Sequence, residues 1–244
     1  VRRVFVIVAL LAGLAGVATF QLTQRHVANA DARVFVPSSR FYLDFSPSFR
    51  TTIADAYWLS TVQYYGEHLK SDARFDSLGA MLDLVTELSP RFVRAYQFGA
   101  YALLDAGEGQ KAYGLLQRGW RRNSDAWQLA AAAGMLVYMY GEGETKVQIA
   151  ADWYRQAAAV AGSPDYVSRL AATLLQKGGE RDKAITMWAQ VYAEGDEYAR
   201  QKAVTALDEL LPARRDERIA ALAALDVPMT PDRRAELSAA LLRD

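Results

Sequence analysis

The sequence predicts an all-α protein: an N-terminal transmembrane helix, an α-solenoid of about four helix-turn-helix units, and a C-terminal helical cap. Three observations carry that prediction. Val4 to Leu22 runs without a charged residue. Val93 to Ala126 sets apolar and small residues at helical spacing on either side of a Gly-Glu-Gly turn. After residue 50 the period-two alternation of strands is rare, while Ala, Leu and Tyr abound and only 7 prolines occur among 244 residues.

The first element, Val4–Leu22, would span roughly 28 Å as a helix, the thickness of a bilayer's hydrocarbon core. Arg2 and Arg3 precede it. A cleavable leader is the competing reading, with Gly16-Val17-Ala18 as a weak cleavage site, but the run exceeds a leader's usual apolar core. The expectation is an uncleaved span over residues 1–23. The paired arginines favour a cytoplasmic N-terminus, although Arg25, Arg33 and Arg40 nearly balance them. Ala9 with Gly13, and Ala12 with Gly16, set small residues four apart. That spacing permits packing on another transmembrane helix, and it is also common in any Ala- and Gly-rich span.

Residues 24–53 form an aromatic-rich linker or N-terminal cap. Pro37 and Pro47 restrict it, and Phe35, Phe41, Tyr42, Phe45 and Phe49 make it too apolar for a free tether. Phe45 and Phe49 are expected to cover the first repeat, because the open end of a solenoid must be shielded. Phe35, Phe41 and Tyr42 are expected on the membrane interface or a partner protein.

In the central stretch Tyr96, Gly99, Ala100 and Leu103 share one helix face, and Ala112, Leu116 and Gly119 share another. The small residues let two backbones approach while Tyr96 and Leu116 fill the flanks. This pattern resembles the tetratricopeptide repeat (TPR), a helix-turn-helix unit of about 34 residues with small residues at the crossing. The match is partial: Tyr96 stands for the family's Trp, Gly99 for its Leu, Leu103 for its Tyr, and Ser124 for its closing Pro. Such a unit cannot bury its own apolar face, so the resemblance implies neighbours over residues 54–198.

One step of 34 back, Gly66 falls at the place of Ala100, Leu78, Leu82 and Val85 replace the second-helix triplet, and Pro90 closes the unit. The register is expected to hold without a gap. Its first helix is expected over Asp55–Leu69, DAYWLSTVQYYGEHL, and with the preceding Ala54 this segment is similar to an A-D-x-x-W-L-x-x-x-Q-Y-Y/F-G-E-H run found in a set of bacterial TPR proteins. One step forward, Gly134 and Val137 keep the spacing, but Ala150, Tyr154 and Ala157 arrive late, so Tyr140–Thr145 is read as an enlarged turn. Such insertions often carry binding, and a neutral one is equally compatible. A fourth unit follows, with Ala171, Ala172 and Leu175, a Gly178-Gly179 turn, then Ala184, Trp188 and Val191. Residues 199–244 read as charged capping helices, with Thr230 as an N-cap and Pro231 at the first helical position.

Composition narrows the chemistry. Lys and Arg total 28, and so do Asp and Glu, leaving no basic field for nucleic acid. Cysteine is absent and histidine occurs only at 26 and 68, which excludes disulfides, thiolate metal sites and multi-histidine sites. No nucleophile has a base and orienter beside it, and no Gly-rich turn has the context of a phosphate loop. We therefore assign no catalytic residue, cofactor or metal ligand.

The TPR resemblance implies a groove lined by the first helix of each unit. Its counterparts here include Gln63, Glu67, Arg94, Gln97, Tyr101, Met135, Tyr138, Arg169, Thr173 and Gln176. Tyr101, Met135 and Tyr138 could equally pack between helices. Arg118, Trp120, Arg121 and Arg122 form a second candidate patch. The expected function is a non-enzymatic, membrane-anchored scaffold or accessory subunit. It would stabilise a larger membrane complex of respiratory, photosynthetic or secretion type in a bacterial inner membrane, with the helices periplasmic. The alternative is a periplasmic chaperone or peptide-binding adaptor acting transiently. The expected partners are membrane protein subunits and the lipid bilayer.

Overall fold

The structure, a computed structural model, describes Gly13 and residues 36–45, 47–71 and 73–242. The chain divides between Phe35 and Val36, and every helix below lies in the second unit. The span expected over Val4–Leu22, with Ala9, Ala12 and Gly16, lies outside the described residues, as does Phe35; Gly13 alone is described there, helical and exposed. Among the described residues there is no strand, and no helix is long and apolar enough to cross a membrane.

A short helix α1 (Ser39–Phe45) and a 3-10 turn (Pro47–Phe49) lead into α2 (Arg50–Lys70) and α3 (Leu78–Leu88). Then come α4 (Val93–Asp105), α5 (Gly109–Arg122), α6 (Trp127–Tyr140), α7 (Lys146–Ala158), α8 (Asp165–Lys177) and α9 (Arg181–Glu194). The chain ends with α10 (Glu197–Leu210), α11 (Arg215–Ala223) and α12 (Pro231–Leu241). From α2 to α10 each helix packs on the next, and the first helices α4 and α6 also touch. That is a solenoid-like stack of helix pairs.

The central pair follows from its small residues. Tyr96 is fully buried, Ala112 likewise, and Ala100, Leu103 and Leu116 nearly so. A methyl group at Gly119 would stand 2.8 Å from the Tyr96 ring, and one at Gly99 2.7 Å from Leu82, so glycine sets the helix separation. The turn is held by the backbone. Gly107, at φ 75°, lets Glu108 N–H reach Leu103 O at 2.8 Å and Gly107 N–H reach Leu104 O at 2.9 Å, the paired bonds of a Schellman ending. The α8–α9 turn repeats it: Gly179, at φ 78°, lets Glu180 N–H reach Leu175 O at 3.0 Å. In both turns the glutamate then pairs with the lysine three residues on, Glu108 with Lys111 at 2.8 Å and Glu180 with Lys183 at 3.0 Å.

The first pair departs from the expected register. Leu78, Leu82 and Val85 are fully buried as the spacing requires, but the turn before them runs over residues 71–77, against 106–108 in the central pair. The inward stripe of α2 is consequently Ala54 and Thr61, both buried, with Tyr57, Trp58, Tyr64, Tyr65 and His68 half-buried. Thr61, at 0% exposure, takes the crossing position, and a methyl group on Gly66 would meet nothing within 4 Å. Gly66 is thus not a counterpart of Ala100.

Rings close that pair. Trp58 meets Phe92 and Phe98 edge-on, each at 5.2 Å between centroids. Tyr65 stacks on Phe75 at 5.5 Å and donates its hydroxyl proton to Asp105. The hydroxyl of Tyr64 accepts from Ser77 N–H at 3.3 Å, and His68 lies 4.0 Å from the Tyr64 ring with Nδ1 2.8 Å from Tyr64 O.

The linker is a second correction. Phe49, expected to cover the first repeat, is 66% exposed because it lies off the inward stripe of α2. Tyr42 does the covering instead: its hydroxyl is 2.9 Å from that of Tyr57, beside a cluster of Ala54, Leu84 and Leu88.

The later units follow the sequence closely. The delay before Ala150 is spread between a longer α6, the turn at residues 141–145 and an extra residue at the start of α7. Gly134 again sets a crossing, its absent methyl 2.8 Å from Tyr154. The small residues do not fade after Tyr198. Ala199, Ala203 and Ala206 are buried, α10 packs on α9 as a further first helix, and α12 folds back on α10. Thr230 caps α12 as expected, accepting from Arg233 N–H at 3.3 Å with Pro231 following. Arginines finish the helix ends: Arg233 donates to Tyr192 O at 3.1 Å, Arg234 to Val227 O at 3.1 Å, and Arg181 to Leu210 O at 2.7 Å.

Candidate protein-binding face

Equivalent positions of α4, α6, α8 and α10 form one side of the stack. Tyr101 on α4 is 43% exposed and Met135 on α6 is 45% exposed, so neither is packed between helices. Tyr138 is half-buried, its hydroxyl 3.4 Å from Lys177 Nζ and its ring 5.9 Å from that ammonium. Arg94 and Gln63 are exposed, Gln97 half-buried. Arg169 and Gln176 are half-buried and come together around a small pocket with residues of α9 and α10.

Sequence reasoning missed four members of this face: Met139, 56% exposed, Tyr166, 46% exposed, Tyr198, 58% exposed, and Lys202. Helical spacing could have found the first two. Met139 is one turn beyond Met135, and Tyr166 one turn before Arg169. Tyr198 and Lys202 were assigned to the cap, because the alanines of α10 were not read as a repeat. Tyr101, Tyr154 and Tyr166 converge on one region. Burial pushes the Tyr154 phenol up, and the phenols of Tyr101 and Tyr166 add to the shift. Burial also raises Tyr101. Tyr166 lies edge-on to Trp127 with centroids 6.2 Å apart.

An apolar strip of Tyr101, Met135, Met139 and Tyr166 thus runs beside cations at Lys177, Arg169 and Lys202. Polarizable Met supplies adaptable contact area, and rigid Tyr supplies contact area at low entropic cost. The strip can therefore seat apolar side chains of another polypeptide, with its cations at one edge.

The second candidate patch dissolves. Arg118 pairs with Asp83, Trp120 Nε1 donates to Gln156 at 3.2 Å, and Arg122 donates to Thr86 O at 3.0 Å. These side chains tie neighbouring helices together; Arg121 and Arg122 are both exposed, and Arg121 makes no such tie among the described residues. Phe41 is 55% exposed, edge-on to Tyr42 at 5.4 Å. The enlarged turn borders a separate cleft of about 710 Å³, between Tyr113, Leu136, Tyr140 and Ile149. No group of three or more His, Asp or Glu among the described residues could hold a metal.

No family model matches the chain, and no curated protein matches it. Among solved structures one described as the crystal structure of MamA protein is similar: 15% identity, a TM-score of 0.42, 79% of this chain and 93% of that one covered. At that distance the likeness adds nothing to what the helix contacts already show.

Proposed function

We propose that this chain is a non-catalytic scaffold that binds another polypeptide along its first-helix face and stabilises a larger membrane assembly. The exposed strip of Tyr101, Met135, Met139 and Tyr166 carries the reading, because large apolar side chains left exposed on successive first helices mark an interaction surface. The apolar run Val4–Leu22 supports an anchor in a bacterial inner membrane, and Arg2-Arg3 support a periplasmic placement of the helices. Tethering in two dimensions raises the effective concentration of the face for membrane-bound partners.

The test is photo-crosslinking in native membranes from residues placed at Tyr101 and Met135, followed by mass spectrometry. Crosslinks to one membrane protein at fixed stoichiometry are expected. Substoichiometric capture of many clients would replace the stable subunit with a transient adaptor. Crosslinks arising only from a control position on the opposite side, such as Arg121, would move the interface.

A further inference from the structure

The pocket between α8, α9 and α10 has two ends of opposite charge. It holds about 300 Å³ and is lined by Arg169, Gln176, Trp188, Tyr198, Lys202 and Glu209, with Thr173 and Thr205 between. At one end Arg169 and Lys202 bracket the Tyr198 ring, the guanidinium at 5.5 Å and the ammonium at 5.7 Å from its centroid. Among the described residues neither cation forms an ion pair, while Arg200 on the same helix pairs with Glu197 at 2.7 Å. At the other end Gln176 is fixed by Trp188 Nε1, which donates to its carbonyl at 3.1 Å. The Gln176 amide in turn donates to Glu209 at 3.2 Å, which holds that carboxylate in place with capacity to accept more.

We propose that this pocket is a polarised socket for a short extended stretch of a partner polypeptide. An acidic side chain would face Arg169 and Lys202, and a basic one would face Glu209. Lys202 and Glu209 lie seven residues apart on one helix face, about 10 Å at a helical rise of 1.5 Å. An extended chain covers that in about three residues. The volume lies at the lower bound for a ligand site, so it suits side chains and not a cofactor. Two unpaired cations beside an exposed aromatic ring strengthen a carboxylate contact, and the fixed carboxylate at the far end gives the bound segment one orientation. This rests on reading the first-helix face as protein-binding and names which charges the partner presents there.

The probe is a displayed library of random seven-residue peptides selected on the full chain in mild detergent. An acidic residue about three positions from a basic one should be enriched about tenfold over the unselected library. Arg169→Gln with Lys202→Gln should lose the acidic preference and keep the basic one; Glu209→Gln should do the reverse. Thr205→Trp, which fills the middle of the socket from an exposed position without adding charge, should abolish both, and it keeps the test decisive if the double variant melts differently. An acidic preference that survives the double variant overturns the socket, as does selection with no charge pattern. Purely apolar peptides that are lost on Tyr101→Ala would overturn the socket alone and leave the broader protein-binding reading standing.

Discussion

Between α4 and α5 contact is made by leaving side chains out: Gly99 and Gly119 let Leu82, Leu115 and the Tyr96 ring fill the space a methyl would need. Around α2 contact is made by adding them: Trp58 meets Phe92 and Phe98 on the α4 side, while Tyr64 and Tyr65 close on Ser77 and Phe75 of the longer turn. Both pairs bury a second-helix leucine at the same repeat position, Leu82 and Leu116. One topology can therefore be closed by backbone proximity or by aromatic rings with hydroxyl bonds. The two solutions fail in different ways, and that difference can be measured.

The largest effect is expected from Tyr96→Ala. It empties a fully buried site and removes bonds from its hydroxyl to Thr86 O and Pro90 O, each at 3.3 Å. A loss of about 3–5 kcal/mol in chemical denaturation should follow. Next, Gly119→Ala should cost about 1–3 kcal/mol, because the ring beside it has nowhere to go. A neutral result would break the argument from proximity.

In the first pair Tyr65→Phe should cost about 1 kcal/mol through the lost bond to Asp105. That bond, with burial, pushes the Tyr65 phenol up to about 12 from 10.0. Its contribution is complete below pH 10 and disappears as the pH rises through about 12. Thermal melts from pH 9 to 12 should converge for the wild type and Tyr65→Phe. The smallest effect has the opposite sign. Gly66→Ala, in open helical surroundings, should stabilise by about 0.5–1 kcal/mol in the same denaturation assay.

The same contrast explains what could be read in advance. Small residues at helical spacing betray a backbone crossing, so the central, third and fourth pairs and the cap at Thr230 were legible. Aromatic closure leaves no fixed period, and the slip between Gly66 and Thr61 depends on the turn at 71–77. The site was half legible for a related reason. Tyr101, Met135 and Arg169 follow from repeat position, whereas Tyr198 and Lys202 belong to a helix whose alanines sit among charged residues. Whether Tyr138 faces solvent depends on Lys177, which reaches it from the next first helix.

Three arginines of the C-terminal half, Arg181, Arg233 and Arg234, grip main-chain carbonyls, whereas Arg218 also pairs with Asp208 at 2.6 Å. A carbonyl takes up no proton in the range where Asp and Glu titrate, so Arg181, Arg233 and Arg234 keep those acceptors at pH 3 as at pH 7. The last helices are therefore held to α9 by contacts that acid leaves in place.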